Sequence, residues 1–236
     1  MEAFQNYLHH FVFGYYPYIC LTVFFLGSLI RFDRDQYSWR SGSSEMLRKR
    51  QLVIGSNLWH VGVLVVLGGH LVGLLTPPAL YHALGMTDSG HAMLAMVAGG
   101  IFGSIAWVGL TILIHRRLFD PRIRRTSSVM DIVIVILLWI QLTIGLSTIH
   151  ISWGTRNDPV EMMALANWVQ HILTFRAGAS DLIVGVPWDY KLHLFLGMTV
   201  LFLLAPFSRL VHIWSAPIWY LGRRYQVVRT RKKVEG

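Results

Sequence analysis

The sequence predicts an all-α protein: a bundle of five transmembrane helices forming one domain over residues 1–236, with the N-terminus outside and the C-terminus in the cytoplasm. Three observations lead there. Of the 236 residues, 54% are hydrophobic and only 14% charged, where soluble domains carry roughly 25% charged residues. The apolar residues gather into five long runs. The basic residues cluster in the connections between alternate runs and at the C-terminus.

A helix needs about 20 mostly apolar residues to cross a hydrocarbon core of about 30 Å. Stretches near 11–30, 52–75, 92–114, 132–149 and 192–214 qualify. In lipid every backbone N–H and C=O must find a partner within its own segment, so each run is read as a helix. The first run contains the only cysteine, Cys20, which rules out an intrachain disulfide and a cysteine-based metal site. No Lys or Arg precedes Arg31, so the basic region of a cleaved signal peptide is not expected.

The connections set the orientation. Segment 31–50 carries Arg31, Arg34, Arg40, Arg48, Lys49 and Arg50, and segment 115–128 carries Arg116, Arg117, Arg122, Arg124 and Arg125. The tail adds Arg223, Arg224, Arg229, Arg231, Lys232 and Lys233, whereas loop 76–90 has no basic residue and loop 150–190 only Arg156 and Arg176. The positive-inside rule therefore places the first two segments and the tail in the cytoplasm. A net charge of +9 distributed this way serves topology, and no nucleic acid partner is expected.

The 150–190 loop carries one more element. Asp158-Pro159-Val160-Glu161 reads as an N-cap, a proline at the first helical position and an acid at the third. Met162, Leu165, Ala166, Val169, Ile172 and Leu173 then follow helical spacing, with Asn167, Gln170, His171 and Thr174 opposite. This predicts a short amphipathic helix on the outer side, either lying on the membrane face or packed over the mouth of the bundle.

Ionisable groups at membrane depth are costly and point to function. Of eleven histidines, seven (His9, His10, His82, His91, His115, His150 and His171) fall near the interfaces. Four fall within or beside apolar runs: His60 and His70 on the second, His193 and His212 on the fifth. A single membrane histidine is more often a helix–helix hydrogen-bond partner or a proton relay. Two on each of two helices favour ligation. Because the two helices run in opposite directions, height pairs His60 with His212 and His70 with His193. Bis-imidazole ligation closes both axial positions of a haem iron, giving an electron carrier.

The spacing is uneven. At about 1.5 Å per residue the second-helix pair is separated by about 15 Å and the fifth-helix pair by about 28 Å. Pro206, between His193 and His212, supplies a bend, and the compromise puts two irons roughly 20 Å apart along the membrane normal. A flat cofactor also needs room. Gly62, Gly68, Gly69 and Gly73 on the second run are read as clearance, while Ala98-Gly99-Gly100 and Gly103 on the third serve equally as small-residue helix packing.

These segments resemble the gamma subunit, a dihaem cytochrome b, of membrane-bound respiratory nitrate reductase, nearly end to end. The resemblance is carried by Arg34-Asp35-Gln36-Tyr37-Ser38-Trp39-Arg40, Ser56-Asn57-Leu58-Trp59-His60, Gly69-His70, Leu75-Thr76-Pro77 and Arg116-Arg117-Leu118-Phe119. It is most specific in His193-Leu194, Gly197-Met198-Thr199 and Pro206-Phe207-Ser208-Arg209-Leu210-Val211-His212-Ile213-Trp214-Ser215. It implies two b haems, the inner on His60 and His212 and the outer on His70 and His193, in a prokaryotic cytoplasmic membrane. It also implies quinol oxidation near the outer haem. Electrons then pass to a cytoplasmic iron–sulfur beta subunit and a molybdenum-containing alpha subunit that reduces nitrate.

Arg116, Arg117 and Arg209 are candidates to pair with the inner haem propionates, or equally to anchor the interface. The family has a lysine near the quinol site just before the third span. Segment 85–93 has none here, and His91 is the nearest basic residue, so it is the candidate quinol contact, with a water-facing interfacial histidine as the alternative. Two other readings remain: a haem-binding anchor for a different molybdenum enzyme, and a proton-coupled transporter with a histidine relay.

Overall fold

The computed structural model describes residues 1–39, 47–215 and 222. Arg40 and the basic cluster of the tail lie outside the described residues. Within them all regular structure is helical, without a strand. Four helices are long and apolar enough to cross a membrane: α1 (Glu2–Arg34), α2 (Lys49–Leu75), α4 (Asp88–Phe119) and α6 (Val129–Gly154). Short helices α3 (Pro78–Ala83), α5 (Pro121–Arg125), α7 (Val160–Leu173) and α8 (Trp188–Met198) complete the set.

The fifth apolar stretch is not a continuous helix. After α8 it widens into a π turn at Thr199–Leu203, tightens into a 3₁₀ turn at Ala205–Phe207, and continues as a 3₁₀ helix over Arg209–Ser215. The cause lies in Pro206, which has no N–H to continue the ladder and whose ring obstructs the preceding turn. Leu204 N–H reaches back five residues to Thr199 O at 2.9 Å, and Ser208 is extended at φ −123°, ψ −178°.

Proline also shapes α1. Pro17 cannot donate to Phe13 O, and the helix widens into a π turn over Phe11–Tyr15 just before it. The freed Phe13 carbonyl, in a buried setting, accepts from Trp168 Nε1 of α7 at 2.9 Å. The end of α2 is handled the same way. Pro77 and Pro78 leave the last carbonyls of that helix without backbone donors, and Gln170 Nε2 of α7 donates to Leu74 O at 3.1 Å. Helix α7 is thus stitched over one end of the bundle, with Ala166, Trp168 and Ile172 buried. The short helix expected in this stretch is present, and it packs against α1 and α2. Its first residue is Val160, with Pro159 in the capping position and no side-chain cap. The expected Asp158 cap is displaced by one residue because Pro159 adopts a non-helical ψ of 55°.

Helices α2 and α4 pack most closely. A Cβ on Gly62 would lie 2.5 Å from Phe102 O, and one on Gly55 would lie 3.1 Å from Gly109 O. Gly62 therefore lets two backbones meet, which corrects its reading as cofactor clearance. At the other end of the molecule from α7, cations gather: Arg31 and Arg34 end α1, Arg48 and Lys49 begin α2, and Arg116 and Arg117 end α4.

Candidate functional site

The four span histidines meet as two pairs. The rings of His60 and His212 have centroids 6.3 Å apart, and those of His70 and His193 are 6.1 Å apart. The pairing by height is the one found. It works because the segment breaks around Pro206: Phe24 packs on both Phe202 and Trp214, so the interval from His193 to His212 covers less height than a straight helix would. Arg31 holds the break in place. Its guanidinium donates to Pro206 O at 2.5 Å, Ser208 O at 3.1 Å and Ser38 O at 2.7 Å. Trp214 stacks on Phe24 and donates from Nε1 to Ser28 Oγ at 3.1 Å, which seats the His212 turn against α1.

Three of the four imidazoles are oriented by their own backbone. The Nδ1 of His60 meets Ser56 O at 2.7 Å, that of His70 meets Val66 O at 2.8 Å, and that of His212 meets Arg209 O at 2.5 Å. A carbonyl can only accept, so Nδ1 carries the proton and Nε2 keeps its lone pair. That is the tautomer a ligating imidazole needs, fixed by the contact that usually fixes it. His193 differs. The Gln141 amide nitrogen lies 3.1 Å from its Nδ1 and donates to its backbone carbonyl at 3.0 Å, so α6 sets this ring.

The α6–α8 contact contains residues that the sequence reading missed. A Cβ on Gly145 would lie 2.7 Å from His193 Cε1, and one on Gly197 would lie 2.8 Å from Gln141 Nε2. Each helix offers a bare glycine to the other's polar side chain. A lone glycine and glutamine in an apolar run give no signal until the facing histidine is known. The nearest clue was Gly197 inside the most specific motif.

Beside His70 and His193 lies a cavity of about 260 Å³, walled among others by Gly69, Gly73, Met96, Gly99 and Tyr190. That exceeds the roughly 150 Å³ in which an apolar cavity takes up a benzene-sized guest. Gly68 and Gly69 face open space, in keeping with clearance beside His70. Gly99 also faces the cavity, whereas a Cβ on Gly103 would lie 2.8 Å from Leu146 Cδ2, so Gly103 is the one in close helix packing.

His91 is buried, 9% exposed, so it is not a water-facing interfacial side chain. Its ring lies 4.6 Å from that of Tyr81, and its Nε2 approaches α2 at Gly73, 3.6 Å from where a Cβ would sit. At the arginine-rich end, Arg117 and Arg209 share Asp131, at 3.7 Å and 3.2 Å. Arg116 is buried and donates to Leu47 O at 2.5 Å. All three predicted cations thus have protein partners, and Arg117 and Arg209 share one.

The chain is similar over nearly its whole length to proteins of one kind. The sequence pattern of the family described as nitrate reductase gamma subunit matches residues 9–231. The respiratory nitrate reductase 2 gamma chain of Escherichia coli (strain K12) is 51% identical over 96% of this chain and 99% of its own length. The respiratory nitrate reductase 1 gamma chain of the same organism is 48% identical over 96% and 100%. The nitrate reductase gamma chain of Bacillus subtilis (strain 168) is 41% identical over 92% and 96%.

Proposed function

The chain belongs to the nitrate reductase gamma subunit family, and on that premise we propose that it holds two b haems, oxidises quinol and delivers the electrons to partner subunits. The observation that carries this reading is the pair of imidazole pairs, at 6.3 and 6.1 Å. A metal bound by two imidazole nitrogens at about 2 Å each, with each ring centre about 1 Å further back, sets ring centres about 6 Å apart. Among the described residues no third histidine, cysteine or acid joins either pair. Two ligands alone suit an iron whose other four positions belong to a macrocycle.

When bound, the haems supply one-electron chemistry at two points along the membrane normal. The chain's own work is positional. Carbonyls of residues 56, 66 and 209 aim three of the imidazoles, and Gln141 and Gly145 seat the fourth. The cavity gives the group held by His70 and His193 its room, and His91, behind Gly73 at that end of the bundle, is the group placed to accept a hydroxyl proton. Arg117 and Arg209, gathered on Asp131 near His212, are the cations suited to carboxylates of a group held there. Arg116 is taken up by Leu47.

In this reading the broken segment 192–214 is the fifth crossing, and the arginine-rich end faces the cytoplasm of a bacterium. Helix α7 then covers the outer end. The cytoplasmic end docks an iron–sulfur subunit that serves a molybdenum subunit reducing nitrate. The test is a pyridine haemochrome assay on the complex purified in mild detergent. Two non-covalent b haems per chain are expected, since the chain has no Cys-x-x-Cys-His for attachment. Zero or one would remove the reading.

A further inference from the structure

At the end of the bundle that bears His70 and His193, α3 and the first turn of α4 bring together four polar groups that haem binding and helix packing leave unused. Tyr81 Oη donates a very short hydrogen bond to Asp88 Oδ1, and the same oxygen lies 2.8 Å from His82 Nε2. His91 follows Asp88 by three residues, so the two neighbour each other on one helical face, and its ring packs on Tyr81.

A plainer account is a clamp that fastens α3 to α4. Such a clamp explains Tyr81, Asp88 and His82. It does not explain a buried imidazole against the clamp, nor the gradient of exposure across the group. His91 and Tyr81 are buried, at 9% and 5%, while the Asp88 and His82 side chains are 40% and 48% exposed. The inner end of this series touches the cavity wall. Gly73, three residues beyond His70, lines the cavity on one side and faces His91 Nε2 on the other. A row of ionisable groups therefore runs from His91, behind Gly73 at the cavity wall, to water over two short elements, apart from the polar groups Thr148, Ser152, Thr155, Glu161 and Tyr190 that line the cavity itself.

We propose that Asp88, held by Tyr81 and His82, is the proton exit of the quinol site at His91: it receives the proton that His91 takes from a quinol hydroxyl and passes it through His82 to water. The inference rests on the quinol-oxidising reading above. In each passage an O–H bond of the quinol breaks and an N–H bond forms on His91. That proton moves to the Asp88 carboxylate, then to His82, then to solvent, and His91 returns neutral for the second proton. The two electrons leave separately through the redox groups assigned to the histidine pairs, and no further reactant is needed. The titratable groups facing Asp88 are Tyr81 and His82 from α3 and His91 from its own helix. Burial, and next the bond to Asp88, push the Tyr81 hydroxyl up to about 12. It therefore stays a donor, fixing the carboxylate rather than carrying the proton.

The test uses membranes with the assembled nitrate reductase and the variants Asp88→Asn, Asp88→Glu and His91→Ala, each with haem content and dye-driven nitrate reduction as controls. Asp88→Asn keeps the size of the side chain and removes its proton affinity. Quinol-driven kcat is expected to fall tenfold or more with KM unchanged, the solvent deuterium effect to grow, and added imidazole to restore part of the rate. Asp88→Glu, which keeps the carboxyl, is expected to stay within about threefold of the parent. Wild-type kcat in Asp88→Asn, or a raised KM with kcat intact, overturns the exit while a defective His91→Ala still upholds the quinol site. If the unaltered complex shows no quinol turnover, the quinol-oxidising reading falls first and the exit falls with it.

Discussion

The site depends on contacts one atom deep. Gly145 has no side chain, and His193 occupies the space that one would fill. Gly145→Leu is expected to push the ring away from His70 and eliminate one of two haem components while the other stays. Gly145→Ala should give partial occupancy, since the nearest atom is a ring carbon on a side chain that can shift slightly. A reduced-minus-oxidised spectrum with haem quantitation decides it, and full occupancy in the leucine variant would show that α6 does not set His193. The histidines themselves were legible in the sequence because charge-capable groups inside apolar runs are expensive and therefore conspicuous. Gly145 and Gln141 were not, because each becomes meaningful only when a residue some 50 positions away is placed opposite it. His91 was legible as a candidate by its place in the chain, while its burial depended on Tyr81 of α3 and Gly73 of α2 closing on it.

Elements are joined here by side chains that answer backbone groups orphaned by proline. Pro17 frees a carbonyl that Trp168 takes, Pro78 frees the one that Gln170 takes, and the break at Pro206 exposes the two that Arg31 takes. Replacing Trp168 by Phe leaves a buried carbonyl unpaired, at a cost of about 1–3 kcal/mol. It should lower the thermal unfolding temperature in detergent without changing haem stoichiometry. Arg31→Met should act more locally. Without the guanidinium the turn bearing His212 is released from α1, and the His60–His212 haem component should be lost or weakened before the His70–His193 component. Equal loss of both would mean that Arg31 stabilises the whole bundle rather than this break. The prolines were visible in the sequence and the bend at Pro206 followed from them. Which side chains would satisfy the broken ladders was not visible, since Trp168 and Gln170 read as ordinary members of an amphipathic helix. The same physics explains why the fifth run, continuous in hydropathy, is discontinuous in structure.

At the scale of the molecule, the two histidine pairs divide one helix pair into two stations. His60 and His70 are ten residues apart on α2, hence about 15 Å along its axis. The cavity and His91 adjoin only the His70–His193 station, and the cations only the end beyond His212. On the proposed reading this asymmetry gives the two pairs different tasks. Replacing His70 or His193 by Ala should remove the component beside the cavity and abolish quinol-driven nitrate reduction. Replacing His60 or His212 should leave that component reducible by quinol yet block delivery to the partner subunits. Dyes that feed those subunits directly should support nitrate reduction in all four variants, which separates a broken path from a failed assembly. The pairing itself is tested by spectra alone. His70→Ala and His193→Ala must lose the same component, and His60→Ala and His212→Ala the other. If His70→Ala and His212→Ala shared a loss, the centroid distances of 6.1 and 6.3 Å would not describe the ligand pairs. A one-station chain would then fit better than a two-station conductor.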